Sequence, residues 1–270
     1  MITFLEGVAE FVLVLAVALA AVFARAIDSR GFLASAVVGF AVIYGGGVQW
    51  FLIVAVFFIL GVGFTLYKYG YKRRLGGAQG KGGARNWPHI LANGGVASII
   101  AAWNLLHPGQ PLAAMFLGAV SASAADTAAT ELGLLSRSRP RLITDPSKTV
   151  PPGTSGGVSP LGFGGAALAS LVIAAIALPL GMLRDPYVVL PACVAGGLFG
   201  AVADSLMGAM VQRKGYCAVC LKPTEALKHC GEKTKATSGS PFVENNVVNV
   251  LSTVAGAASA LAIFLAFSYL

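Results

Sequence analysis

Two aspartates fall within long apolar stretches of this sequence, and they do so in matching surroundings. Residues 118–130, GAVSASAADTAAT, align without gaps to residues 196–208, GGLFGAVADSLMG. Gly118 matches Gly196, Ala122 matches Gly200, Asp126 matches Asp204, and Thr130 matches Gly208. A spacing of four places each set in one narrow stripe on its helix. Close packing of small residues between membrane helices explains the stripe. It does not explain a carboxylate in the same slot twice. An ionised carboxylate near the bilayer centre costs at least about 2.5–3.5 kcal/mol on insertion scales. Asp126 and Asp204 are therefore candidate metal ligands and candidate catalytic residues. Glu131 is a third intramembrane acid and candidate ligand, five residues on and on a different face. No Lys or Arg lies in the same apolar spans, so a metal ion or loop cations must neutralise these acids.

The connecting segments carry the complementary chemistry. Residues 147–165, SKTVPPGTSGGVSPLGFGG, combine Lys148 with hydroxyls at Thr149, Thr154, Ser155 and Ser159 and with Gly153, Gly156 and Gly157. Glycine-rich backbone ahead of a helix can cradle phosphate oxygens. This is not a Walker sequence, and a flexible Gly/Pro linker is the plainer alternative. In the basic segment 68–89, Lys72, Arg73 and Arg74 suit contacts with anionic lipid headgroups, whereas Arg85 and Asn86 are placed to meet a substrate phosphate. Asn93, with Asn246 and Asn249 on one face of a later helix, can ligate a metal or phosphate or can simply hydrogen-bond between helices; Asn245 reads as a cap. Cys217-x2-Cys220 followed by His229-Cys230 offers preferred zinc ligands, although adjacent ligands in the second pair are unusual. A redox pair or no role at all are the alternatives.

These residues must be positioned by membrane helices. Of the 270 residues 56% are hydrophobic and 11% charged, against about 25% charged in an ordinary soluble domain, and the mean hydropathy is +0.77. Segments near the roughly 20 apolar residues of a crossing run over 8–24, 32–44, 48–67, 90–106, 112–135, 161–183, 187–211 and 247–270. The second is short enough to be re-entrant. The fold class is thus an all-α, polytopic transmembrane bundle of seven or eight spans with an internal repeat, a single transmembrane domain carrying a Cys/His loop at 212–246. A weaker echo pairs 91–100 with 244–253.

Glu6 and Glu10 precede the first apolar run and Arg25 follows it, the reverse of a signal peptide. With eight spans and both termini outside, 18 of the 19 Lys and Arg residues fall in the inner loops and only Arg184 outside. That bias indicates cytoplasmic basic loops. It accounts for the net charge of +8 without nucleic acid. It also puts the cysteines in a reducing compartment, against disulfides. At 1.5 Å per residue, Asp126 and Asp204 lie about 14 and about 10 Å from the inner ends of their helices, which favours a cavity open to the cytoplasm over a pore.

At RNWPHILANGG (85–95), SAADTAATELG (123–133), PPGTSGGVSPLG (151–162), GGLFGAVADSLMGAMVQ (196–212) and ENNVVNVLS (244–252) the chain resembles a family of integral membrane proteins. It is the family that includes plant phytyl-phosphate kinase and transmembrane protein 19, and the resemblance covers nearly the whole chain. The DTAA element also resembles the Asp-Thr signature of the membrane-bound dolichol and phytol kinases. The resemblance implies phosphorylation of a prenyl monophosphate, with CTP or ATP as donor and Mg²⁺ as cofactor. The partners would be the prenyl-phosphate substrate and membrane lipids, with Asp126, Asp204, Lys148, Arg85 and the 153–157 loop in the site. Ser155 stands where the family pattern has Asn, and the plant enzyme lacks the cysteine cluster, so zinc would be peripheral to the shared chemistry. A cation- or proton-coupled transporter using Asp126 and Asp204, or a non-catalytic lipid-binding protein, are the alternatives.

Overall fold

The computed structural model describes residues 4–75 and 83–268. Its helices are α1 (Phe4–Phe23), α2 (Ser29–Leu66), α3 (Tyr69–Arg74), α4 (Trp87–Leu106), α5 (Gln110–Gly133), α6 (Pro160–Ala177), α7 (Pro186–Met210) and α8 (Asn245–Ser268). All but α3 are long and apolar enough to cross a membrane. The protein is a polytopic α-helical membrane protein. Helix starts follow local chemistry: Asp28, Asn86, Ser159 and Asp185 each accept a backbone N–H of the first turn through a side-chain oxygen. Proline follows within two positions in α4, α6 and α7, where its missing N–H costs nothing.

The helix α2 resolves the short second span. It breaks at Gly47, whose φ of 77° glycine alone adopts readily. As one straight rod, 38 residues would reach about 57 Å. Instead Arg85 touches both far ends. Its N–H bonds the Ala26 carbonyl at 2.9 Å and its carbonyl accepts from Asp28 N. Its guanidinium lies so close to Gly61 that a Cβ there would be 2.1 Å from Nη2. The limbs 29–46 and 48–66 are therefore an antiparallel hairpin, each about 27 Å long, and seven helices make eight passes. At the bend, Gly45 lies against the Ala101 backbone and accepts a hydrogen bond from Asn104 Nδ2 at 2.8 Å. The expected span 161–183 ends early: α6 stops at Ala177, because Pro179 cannot extend a helix and Gly181 turns the chain with φ 62°.

The helix α5 is the centre of the bundle, with most of its residues buried. It meets α7 and α8 at backbone contact. A Cβ on Gly118 would lie 2.3 Å from the Gly256 carbonyl oxygen, and one on Gly196 would lie 2.6 Å from Gly118 Cα. A Cβ on Gly200 would come 2.4 Å from that of Ala122, and one on Gly256 would come 2.6 Å from it. The repeat is thus parallel, and its matched residues face each other: Gly118 with Gly196, Ala122 with Gly200, then Asp126 with Asp204.

At the end of the bundle that carries most Lys and Arg, the connections fold into short antiparallel strands where the sequence suggests only loops. These are β1 (Arg141–Leu142), β2 (Asp145–Thr149), β3 (Gly157–Val158), β4 (Lys214–Cys217), β5 (Lys222–Thr224), β6 (Lys228–His229), β7 (Glu232–Lys233) and β8 (Lys235–Ser238). They pair in the orders β2-β1-β3, β5-β4-β8 and β6-β7. Strands this short leave no alternating pattern to read.

Lys72 does not face headgroups. Lys68, in the left-handed region at φ 51°, reverses the chain after α2, and α3 drives Lys72 into the bundle, where it is fully buried. Its ammonium donates to the carbonyls of Phe64 (2.7 Å) and Thr65 (2.9 Å) and to Glu131 Oε2 at 2.5 Å. Removing one partner of such a pair typically costs about 3–5 kcal/mol, whereas replacing both by apolar groups is often neutral. Lys72→Met and Glu131→Gln should each lower the melting temperature in detergent by many degrees, and Lys72→Met/Glu131→Leu should recover most of the loss. Single variants that melt like the parent protein would refute a structural role for the pair.

Candidate functional site

A cavity of about 190 Å³ opens at the basic end, between the halves of α5, α6 and α7 nearest that end and the loops that cover them. Its lining includes Asp126 and Thr130 of α5, Ser159 and Phe163 at the start of α6, and Asp204 and Ser205 of α7. Residues 153–157, Glu225 and Asn245 complete its polar wall. The Asp126 and Asp204 carboxyls lie side by side, close enough to interact directly, and the Ser252 hydroxyl faces Asp204. Asp204 Oδ2 is buried without a hydrogen-bond partner. Among the described residues, no Lys or Arg lines the cavity. Two adjacent carboxylates, one oxygen unpartnered and no cation beside them among the described residues, form a donor set suited to a hard divalent cation.

The PGTSGG segment roofs this cavity through a specific shape. Thr154 Oγ1 donates to the Pro151 carbonyl at 2.8 Å, Gly157 N bonds the Thr154 carbonyl, and Ile143 N bonds that of Gly156. Gly156 has φ 80°, and a Cβ on it would come 2.5 Å from that of Ala209 in α7. That glycine is needed for conformation and for close approach at once. Ser159 caps α6 through Gly162 N, so the positive end of that helix also borders the cavity.

Glu225 gave no sequence signal. It follows β5, inside the Cys/His loop, yet its carboxylate accepts from Ser155 Oγ and from Gln212 Nε2 at 2.8 Å. Arg213, itself buried, holds the Glu225 and Ala226 carbonyls and Thr234. Only the tertiary fold brings this acid to the cavity. Ser205 sits beside Asp204 in the repeat and was legible in principle. Asn245, read as a cap, lines the cavity and donates through Nδ2 to Asn249 Oδ1 at 3.3 Å.

Several expected site residues lie elsewhere. Lys148 is exposed on β2 and does not line the cavity, because pairing with β1 carries it along the edge of the sheet. Glu131 is occupied by Lys72. Asn93 donates to the His89 carbonyl one turn back, and its own carbonyl accepts from Ser123 Oγ, so it joins α4 to α5. Asn249 is buried, and Asn246 is half-buried outside the lining. Arg85 lines a separate, largely apolar cavity of about 80 Å³ among α1, α2 and α4, over the rings of Phe57 and Phe58. Burial lowers the Arg85 pKa to about 10, with Glu131 opposing, so it stays protonated at neutral pH.

The Cys/His residues do converge. One donor atom each from Cys217, Cys220, His229 and Cys230 lies within 4.8 Å of the others, and all three thiols are free. This group could hold a metal. Backbone hydrogen bonding from Cys220 is the main cause of the low Cys217 pKa, about 6.

Fold and cavity together define a polytopic membrane protein with an acidic, intramembrane pocket at its basic end. The chain belongs to the integral membrane protein family DUF92, whose model matches residues 12–257. It is 29% identical over 246 residues to Protein PGR of Arabidopsis thaliana, covering 82% of this chain and 84% of that protein. It is 31% identical over 191 residues to the membrane protein MJ0933 of Methanocaldococcus jannaschii, covering 71% and 77%. It is 24% identical over 216 residues to Protein VTE6, chloroplastic, of Arabidopsis thaliana, covering 78% of this chain and 57% of that one. No solved structure matches.

Paired acids without a counter-ion repel one another, so a binding role has a signature in stability. Asp126→Asn and Asp204→Asn replace one of two adjacent acids by a neutral amide and should melt at or above the parent temperature in metal-free detergent buffer. A loss of several degrees would mean that the carboxylates serve the fold.

Proposed function

We propose that this protein is a prenyl-monophosphate kinase, forming the diphosphate with CTP or ATP as donor and Mg²⁺ as cofactor. The observation that carries the proposal is the meeting of the duplicated aspartates, Asp126 and Asp204, in a cavity roofed by a glycine loop and a helix N-terminus. Phosphoryl transfer asks a protein mainly for positioning and charge neutralisation. Mg²⁺, when bound, would supply that neutralisation. Asp126 and Asp204 would hold it, and Glu225 is the third carboxylate of the wall. Thr154, Ser155 and Ser159 offer hydroxyls to phosphate, while the 153–157 backbone and the start of α6 shape the anion's seat. An oxygen of the lipid monophosphate then attacks the donor's terminal phosphorus, a P–O–P bond forms, and the nucleoside diphosphate leaves. Phe163 lines the cavity yet is 41% exposed, so a prenyl tail can pass along α6 into lipid. The family resemblance seen in the sequence points to the same reaction. The basic loops would face the cytoplasm, where the nucleotide is.

The transporter reading would need a route to the opposite side. Directly beyond the aspartates α5, α7 and α8 touch at Gly118, Gly196 and Gly256, and such a route would have to part these backbones. This packing favours the kinase.

The test is phosphoryl transfer from labelled CTP and ATP to a panel of prenyl phosphates, using purified protein. Asp126→Asn and Asp204→Asn should each lose at least about 100-fold in turnover, the scale of a removed transition-state electrostatic contact. Lys148→Ala should change it little. Wild-type turnover in both Asn variants would sink the metal assignment, and cation movement by proteoliposomes with no phosphoryl transfer would favour transport. For orientation, single cysteines at Asp145 and Lys235 should label from the cytoplasm, and those at Gly109 and Arg184 from outside. Reversed labelling would refute the cytoplasmic site.

A further inference from the structure

We propose that Cys217, Cys220, His229 and Cys230 bind one tetrahedral zinc ion, and that this ion braces the roof of the cavity by fixing the segment that carries Glu225. The four donor atoms converge within 4.8 Å. His229 Nδ1 lies 3.4 Å from Cys220 Sγ and 3.2 Å from Cys230 Sγ. Zinc bonds of about 2.3 Å to sulfur and about 2.0–2.1 Å to nitrogen make the sulfur–nitrogen edge of a tetrahedron about 3.6 Å. The observed edges need to open by only a few tenths of an ångström.

Two independent turns make the convergence. After Cys220 the chain enters the left-handed region at Leu221, φ 57°, and Leu221 N bonds the Cys217 carbonyl at 3.0 Å. The second turn places Cys230 at φ 52° and Gly231 at φ 84°, between β6 and β7. Left-handed backbone at Leu221 and Cys230 is disfavoured for side chains of their size. The segment has little apolar core to repay that strain: Val219, Leu221 and Leu227 are exposed. A metal–ligand set supplies what hydrophobic burial does not.

The cluster also has a lever. Glu225 lies between the two ligand pairs, directly after β5 of the β4–β5 hairpin, whose turn carries the first pair. Its carboxylate takes the Ser155 hydroxyl of the PGTSGG loop and the Gln212 amide. Arg213 ties the same stretch to Thr234, beyond the second pair. Losing the ion frees both turns, and with them the hold on Ser155.

Elemental analysis of the full-length protein, purified in detergent without chelator, should find about one zinc per chain. Cys220→Ser and Cys230→Ser, which spare the buried Cys217, should each lose most of it. Iron in its place, no metal, or zinc retained in both variants would overturn the site. Thiol titration showing a disulfide in metal-free protein would overturn it in favour of a redox pair. Hydrogen exchange tests the lever and needs no turnover. Zinc removal should speed exchange in residues 153–159 several-fold, and Glu225→Gln should do so with zinc content unchanged. Zinc bound but exchange unmoved by either change would overturn the bracing role. None of these readouts depends on kinase activity, so the kinase reading stands or falls separately.

Discussion

Where α5, α7 and α8 cross, their backbones touch, and the rest of the site depends on that contact. A membrane offers helices no hydrophobic incentive to associate, because lipid is as apolar as leucine, so packing depends on how closely backbones approach. Gly118, Gly196 and Gly256 leave no room for a Cβ at this crossing. One helical turn further in, Ala122 meets Gly200, and one turn beyond that the aspartates meet. Their depth and mutual distance are consequences of glycine spacing, because two helices locked at Gly118 and Gly196 have nowhere else to put residues eight positions on. The small-residue stripe and the paired carboxylates are one device.

Burying acids in such a bundle has two solutions here, and they differ instructively. Glu131 is matched by Lys72, which arrives from outside the apolar spans on a single turn of helix and is satisfied by two carbonyls as well. That pair is closed and holds α2 and α3 against α5. Among the described residues, Asp126 and Asp204 have each other, the Ser252 hydroxyl and the cavity. The same helix therefore carries one neutralised acid and one left open, five residues apart, and it is the open one that can take part in binding.

The spans, the internal repeat and its two matched aspartates were legible in the sequence because each is a periodic or compositional signal. The GGG at 45–47 marked the bend of α2, although the limb before it looked too short until Ser29, Arg30 and Gly31 joined the helix. The Cys/His group was legible as a set, since its residue types alone suggest a metal. What could not be read was long-range pairing of residues with ordinary local roles. Lys72 sits in a basic run that looks like a headgroup patch, and only the reversal at Lys68 buries it. Glu225 lies in a polar loop, 70 residues from its partner Ser155. Lys148 was placed at the site by neighbourhood in sequence, and the β1–β2 pairing carried it away. The strands of the three small sheets are too short to carry a period.

The proposed reaction would bring two phosphorylated ligands to an acidic cavity, and for that a cation must enter with them. Among the described residues no lysine or arginine lines the cavity, so phosphate has no direct ion-pair partner in it. What the walls offer an anion is weaker and directional: hydroxyls, a glycine-rich backbone and the N-terminus of α6. Under the proposed function, such a seat would accept phosphate well only after a divalent ion had reversed the local charge. Recognition and charge neutralisation would thereby be coupled, because neither the acids nor the loop would suffice alone. A site built on lysines would hold phosphate without the metal and gain less from its arrival. The roof must also stay in register with the acids below it, and Ser155 is one of its residues. Glu225, which faces the cavity and at the same time holds Ser155, ties that register to the Cys/His loop rather than to the membrane helices.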